Sequence, residues 1–151
     1  MRLEKHDQTC ADLIERLRDV AHGYTIKCPN CGGFVSVECI DDETGQIATC
    51  PECGHVDDAH TFETLDFFEF FEGGIYDIKY VVDDQLDYVG ARVCVAWGGP
   101  SIYIDTFTAT VELFNWNETG QAHGFDAHTL EELNGCFRSL FNEAHVGHRP
   151  Y

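Results

Sequence analysis

Apolar side chains recur every three or four positions over residues 7–22, where Cys10, Leu13, Ile14, Leu17, Val20 and Ala21 share one stripe. That period predicts an amphipathic helix, with Asp7 or Thr9 placed to cap its start and Gly23 just past its end. The period then shortens. "YTIKC", "FVSVECI" and "QIATC" are brief β-like runs, and "PNCGG", "DDETG" and "PECGH" between them carry the residues of turns. Further along, "IYDIKYVV", "ARVCVAW", "SIYID" and "ATVELFNW" are rich in β-branched and aromatic residues, which predicts four antiparallel strands in a meander. Helical spacing returns in "DAHTLEELNGCFRSLFNEA", with Leu130, Leu133, Phe137, Leu140 and Phe141 on one stripe and Thr129 and Glu132 spaced as a capping box. The predicted class is α+β: an N-terminal helix over 1–23, a β module over 24–60, and an acidic α+β domain over 61–151 whose four-stranded meander is covered by the C-terminal helix. The last segment and the first helix are expected to form one compact unit.

The stretch "TFETLDFFEFFEGG", residues 61–74, places five phenylalanines and four carboxylates together without a basic residue. Wound as a helix over 62–72, it turns Phe67, Phe68 and Phe71 toward a core and fans Glu63, Asp66, Glu69 and Glu72 over the opposite half. Phe62, Leu65 and Phe70 then stand among those acids as exposed anchors. Asp77, Asp83, Asp84 and Asp87 continue the acidic run.

Charge sharpens this picture. The chain holds 27 acidic and 9 basic residues, a net of −18. Residues 1–23 are nearly balanced, whereas from Tyr24 to Phe137 only Lys27, Lys79 and Arg92 oppose 21 carboxylates. Such a field repels nucleic acid directly and attracts basic protein surfaces. It also serves solubility, and a high-salt habitat would enrich aspartate over lysine in the same way. No apolar run approaches the roughly 20 residues a bilayer span needs, and the opening residues lack the apolar segment of a secretory signal. A soluble, cytoplasmic chain is expected.

The strongest chemical signal is "CPNCGG" followed by "CPECGH". Cys28, Cys31, Cys50 and Cys53 form a C-x2-C-x18-C-x2-C pattern within the spacing of zinc sites. Four thiolates make a closed tetrahedral shell suited to one structural ion. Over about residues 24–60 the chain resembles the zinc ribbons, through their CPxCG knuckles, and the resemblance implies that these four cysteines are zinc ligands. Iron in a rubredoxin-like site is the alternative metal, and disulfides fit a cytoplasmic chain poorly. Nucleic-acid-binding ribbons present basic side chains, but here Lys27 stands against Glu38, Asp41, Asp42, Glu43, Glu52, Asp57 and Asp58, which favours a structural or protein-contacting role. Cys10, Cys39, Cys94 and Cys136 fit small buried apolar positions. His6 and Cys10 are too few for a second metal, and His55, His145 and His148 read as surface histidines.

No phosphate loop, nucleophile elbow or metalloprotease helix occurs. Asp105 and Glu112 lie near adjacent strands in the manner of a nuclease metal pair, but no lysine follows Lys79. A non-enzyme is expected. The C-terminal strands also resemble segments of small uncharacterised proteins carried by phages and plasmids, and small acidic proteins of such elements include inhibitors of restriction and CRISPR nucleases, some imitating DNA. The resulting expectation is an acidic zinc protein that blocks the nucleic-acid site of a basic host nuclease, making no contact with nucleic acid or membrane. The alternative is a cellular zinc-ribbon adaptor of a transcription or translation assembly, docked through Phe34 or Val35.

Overall fold

The computed structural model describes residues 1–41 and 43–145. Asp42 and His148 lie outside the described residues, as does the side chain of His145. The chain divides into two compact units, one made of residues 1–18 with those from Phe71 onward, the other of residues 19–70. Residues 61–70, placed by sequence with the acidic domain, therefore group with the cysteine module.

The first unit is built on α1 (Glu4–Ala21), whose last turn belongs to the other unit, and on the strands β6 (Asp77–Val82), β7 (Tyr88–Ala96), β8 (Ser101–Asp105), β9 (Thr110–Asn115) and β10 (Glu118–His123). They form one antiparallel sheet in the order β10-β9-β8-β7-β6, followed by the closing helix α3 (Ala127–His145). Pairing aligns Val93 with Ile104 and Ile104 with Val111, and all three are fully buried. Because side chains alternate across a strand, this row and Ala91, Leu113 and Tyr80 share one face. Phe137 of α3 meets Phe71 at 5.7 Å between ring centroids, and Phe141 meets Tyr80 at 5.1 Å. Cys10, Ile14 and Leu17 of α1 and Leu133, Phe137 and Phe141 of α3 are all buried, and each large side chain removed from water contributes roughly 1.5–3 kcal/mol.

The sheet has five strands where the pattern predicts four. The fifth, "ETGQAH", lacks the β-branched and aromatic residues that mark a strand, and tertiary partners form it instead. It pairs with β9 along its whole length, while residues 1–3 lie along its other edge: Leu3 N–H donates to Thr119 O and Thr119 N–H to Met1 O. Gly120 makes this approach possible, since a Cβ there would stand 2.4 Å from His6 Cβ.

Helix ends are also corrected. α1 starts at Glu4, before Asp7 and Thr9, and Asp7 turns its carboxylate to the Gln121 amide at 2.9 Å and to Arg2 at 3.1 Å. The C-terminus is as the sequence implies: Gly23 has φ of 76°, its N–H donates to Val20 O, and Tyr24 N–H donates to Asp19 O, the two bonds of a Schellman motif. For α3 the N-cap is Asp126, whose Oδ1 accepts from Thr129 N–H at 2.7 Å, and not Thr129. Thr129 is fully buried, and its hydroxyl has no hydrogen-bond partner among the described residues.

In the second unit β1 (Thr25–Lys27) pairs on one side with β2 (Phe34–Ser36) and on the other with β5 (Glu63–Thr64), while β3 (Ile47–Thr49) pairs with β4 (Val56–Asp58). Ile26, Val35, Ala48 and Phe62 share a small core with Cys28 and Cys50. The predicted helix over 62–72 is replaced by a 3-10 turn (Ala59–Thr61), β5, and a short α2 (Phe67–Phe70). Pairing of Glu63 with Lys27 and Thr64 with Ile26 captures the first part, and Asp66 restarts the helix by accepting from Glu69 N–H at 2.9 Å. Exposure inverts as a result. Phe62 and Leu65, predicted as exposed anchors, are 5% and 4% exposed, Phe68, predicted as core, is 50% exposed, and Phe70 is half-buried between the rings of Phe34 and Phe67.

Two outcomes test this packing. The Gln121 amide, aided by Arg2, holds the Asp7 carboxyl below its ordinary value, so its contribution is whole above about pH 4 and is lost as pH falls through the lowered value. Asp7→Asn therefore lowers Tm at pH 7, and the gap from wild type narrows at pH 3, followed by circular dichroism melts. Thr129→Val removes a buried hydroxyl that has no partner among the described residues and raises unfolding free energy by about 1 kcal/mol in urea titration.

Candidate metal centre

The two Cys-x-x-Cys segments take the same local shape for the same reason. Gly32 N–H donates to Cys28 O at 3.0 Å and Gly54 N–H to Cys50 O at 2.8 Å, closing each turn. Gly32 and Gly54 have φ of 71° and 76°, where a side chain would be strained. Each turn then returns to its strand, through Cys28 N–H to Gly33 O and Cys50 N–H to His55 O. The first cysteine of each pair is fully buried and the second is exposed, so each turn directs two sulfurs at a common point.

All four sulfurs lie within 4.8 Å of one another. Cys28 and Cys53 are 3.8 Å apart, and Cys31 and Cys50 are 3.7 Å apart. A tetrahedron with metal–sulfur bonds of about 2.3 Å has sulfur–sulfur edges of about 3.8 Å, whereas a disulfide needs about 2.05 Å. These four cysteines can hold one metal ion.

Electrostatics favour a cation among them. Hydrogen bonds from the Asn30 amide and from the His55 backbone bring the Cys53 thiol down to about 6. At Cys31 the Gly33 amide favours the thiolate, but burial and the three neighbouring sulfurs push the thiol up to about 12. One sulfur of the group ionises readily and another resists, as crowded like charges must without a positive ion between them.

The remaining cysteines lie outside this four-sulfur group, although Cys39 packs against the small core that holds Cys28 and Cys50. Cys10, Cys94 and Cys136 are buried and Cys39 is half-buried, and burial followed by the nearby Asp7 charge raises the Cys10 thiol to about 11. His6 is held by Glu118 at 3.0 Å and His55 by Asp57 at 3.1 Å. Asp105 and Glu112, weighed as a nuclease pair, both engage Arg92, at 3.6 and 2.6 Å, and that guanidinium lies 4.5 Å from the Tyr103 ring centroid. Arg92 was not singled out for this role by sequence, although its place among only three cations between Tyr24 and Phe137 was a signal.

The predicted partner-binding acids fall in both units. Glu63, Asp66 and Glu69 belong to the second, and Glu72, Asp77, Asp83, Asp84 and Asp87 to the first. All are exposed except Glu69, which is half-buried and paired with Lys27 at 3.6 Å. Two have local structural duties: Asp66 caps α2, and Asp83 Oδ1 accepts from the N–H groups of Gln85 and Asp87 in the β6–β7 turn.

The fold and site thus define an α+β chain with a four-cysteine candidate metal centre. Compared with protein-family models, curated proteins and solved structures, the chain matches none. Among the described residues no helix is long and apolar enough to cross a membrane.

Cys50→Ser is expected to abolish stoichiometric metal binding, read by elemental analysis of the purified chain. It also renders residues 24–60 sensitive to limited proteolysis, while Cys94→Ser retains the metal. Equal metal content in the two variants would exclude the four-sulfur site.

Proposed function

We propose that this chain is a non-catalytic, zinc-clamped acidic protein. It binds a basic nucleic-acid-binding protein and occupies the site meant for DNA or RNA, in the manner of anti-CRISPR or anti-restriction inhibitors of host defence nucleases. Zinc is the favoured ion because the C-x2-C-x18-C-x2-C spacing and a four-sulfur donor set suit a closed tetrahedral zinc ribbon. When bound, it supplies a rigid structural clamp with no open position for substrate.

The observation that carries the functional reading is the state of the carboxylates. Glu63, Glu72, Asp77 and Asp84 are exposed and make no ion pair among the described residues, while the chain as a whole carries −18. Carboxylates of this kind substitute for phosphates against the Arg and Lys of a nucleic-acid groove and raise the rate of encounter with it. Attraction at that range is screened by salt, with a Debye length of about 8 Å at physiological ionic strength.

A second reading, the protein-protein adaptor of a transcription or translation assembly, draws support from apolar exposure on the cysteine module. Phe34, Ile47 and Val56 are 42%, 47% and 58% exposed. Contact through those side chains would survive charge reversal and fail on Phe34→Asp.

The test is a gel-shift and cleavage panel of purified restriction and RNA-guided nucleases. A stoichiometric amount of this chain is expected to block DNA binding by a susceptible enzyme. The triple variant Glu63→Lys, Glu72→Lys, Asp84→Lys, chosen at positions without a local hydrogen-bonding duty, is expected to lose at least about tenfold in inhibition. Undiminished inhibition by that variant, or none across the panel by the wild type, would overturn the reading.

A further inference from the structure

The two outer edges of the five-stranded sheet are finished differently. At the β10 edge the outward backbone groups are met: Thr119 N–H donates to Met1 O, Thr119 O accepts from Leu3 N–H, and Gln121 N–H donates to the Asp7 carboxylate. At the opposite edge β6 pairs, among the described residues, with β7 alone. A strand edge left open is a template for another strand.

Backbone directions along β6 follow from β7. Ala91 O accepts from Thr106 N–H on the β8 side, and Cys94 O accepts from Tyr76 N–H on the β6 side. Because backbone groups alternate between the two neighbours of a strand, Arg92 and Cys94 serve β6, and Asp77 and Lys79, which lie opposite them, turn their own N–H and C=O toward β7. Ile78 between them points outward. Its N–H and C=O have no partner among the described residues. "DIKYVV" is rich in β-branched and aromatic residues and holds no proline to block pairing.

Side chains select the occupant. Ile78 aligns with Val93 on the face that carries the helices, so Asp77 and Lys79 stand on the other face, both exposed and without an ion pair among the described residues. An incoming antiparallel strand must therefore set a base opposite Asp77 and an acid opposite Lys79, two residues apart. β6 meets that demand itself. Turned about a two-fold axis at Ile78, it sets Asp77 against Lys79 of the second copy and Lys79 against Asp77, with the two Ile78 residues opposite one another. Axes at Asp77 or Lys79 would set like charges together, and an axis at Tyr80 would set Asp77 against Asp83. An axis at Val81 would call on Asp83, whose carboxylate already accepts from the Gln85 and Asp87 amides.

We propose that β6 pairs with β6 of a second copy of this chain, antiparallel about Ile78, joining two five-stranded sheets into one of ten strands. The proposal does not depend on the basic partner. Each copy carries −18, but at physiological ionic strength a Debye length of about 8 Å leaves charges in contact to decide the pairing. So short a seam makes a weak dimer that forms as concentration rises.

Sedimentation equilibrium of the full chain at about 0.15 M salt tests this. The mass is expected to rise from 17.0 kDa toward twice that value between about 1 μM and about 1 mM. Asp77→Lys and Lys79→Asp each set like charges opposite one another and weaken the dimer at least about tenfold, and the double variant Asp77→Lys, Lys79→Asp restores it to within about threefold of wild type. Hydrogen exchange gives a second reading that needs no variant. The Ile78 amide, open in the single chain, slows as concentration rises, while the Thr119 amide, already bonded, is unchanged. A mass that stays at 17.0 kDa, a dimer whose Ile78 amide exchanges as fast as in the single chain, or a double variant no tighter than the single ones would overturn the pairing. A monomeric chain whose Ile78 amide slows only when an Arg-Gly peptide is added would give the edge to a basic partner and overturn it equally.

Discussion

Convergence of four sulfur atoms is the constraint on which the smaller unit depends. Its strands are two or three residues long, and its apolar core amounts to Ile26, Val35, Ala48 and Phe62 around Cys28 and Cys50. So little buried area does not offset the conformational entropy of ordering residues 19–70, and small modules of this kind rely on a cross-link or a metal. The two cysteine turns meet this need by geometry. Each is closed by a glycine in the left-handed region, each ends a strand, and together they bring the sulfurs to the spacing of a tetrahedral shell. Without a cation, the three neighbouring sulfurs resist ionisation of the Cys31 thiol. A metal ion held there would couple its binding to the folding of this unit.

The larger unit depends on burial in the ordinary way, and its one unusual demand is the close seating of the first helix. Gly120 lets His6 and Asp7 come against β10, and the polar groups there are matched: Asp7 to the Gln121 amide and Arg2, His6 to Glu118. The carboxyls of Asp7 and Glu118 are both held below their ordinary values by these bonds, from the Gln121 amide and from His6 respectively. A segment with little intrinsic strand preference is in this way fastened on both edges.

Opposite sets of side chains were left uncovered by this packing. Phe62 and Leu65 are inside, while Trp97, Trp116 and Tyr76 are outside. The acids that remain exposed and make no ion pair among the described residues, such as Glu63, Glu72 and Asp84, supply charge of one sign.

The local signals were legible in the chain: both terminal helices, the Gly23 stop, four of the five strands of the large sheet, and the four cysteines, because spacing and turn chemistry act over a few residues. The fifth strand was not, since "ETGQAH" becomes a strand only between β9 and residues 1–3. Nor was the fate of residues 62–72, where a helical period lost to pairing with β1, a partner more than thirty residues away in sequence. The sequence alone determined what could bind metal and the sign of the charge. Which aromatic rings meet water was decided only by tertiary structure, because exposure depends on what packs over a side chain, and that partner comes from distant parts of the chain.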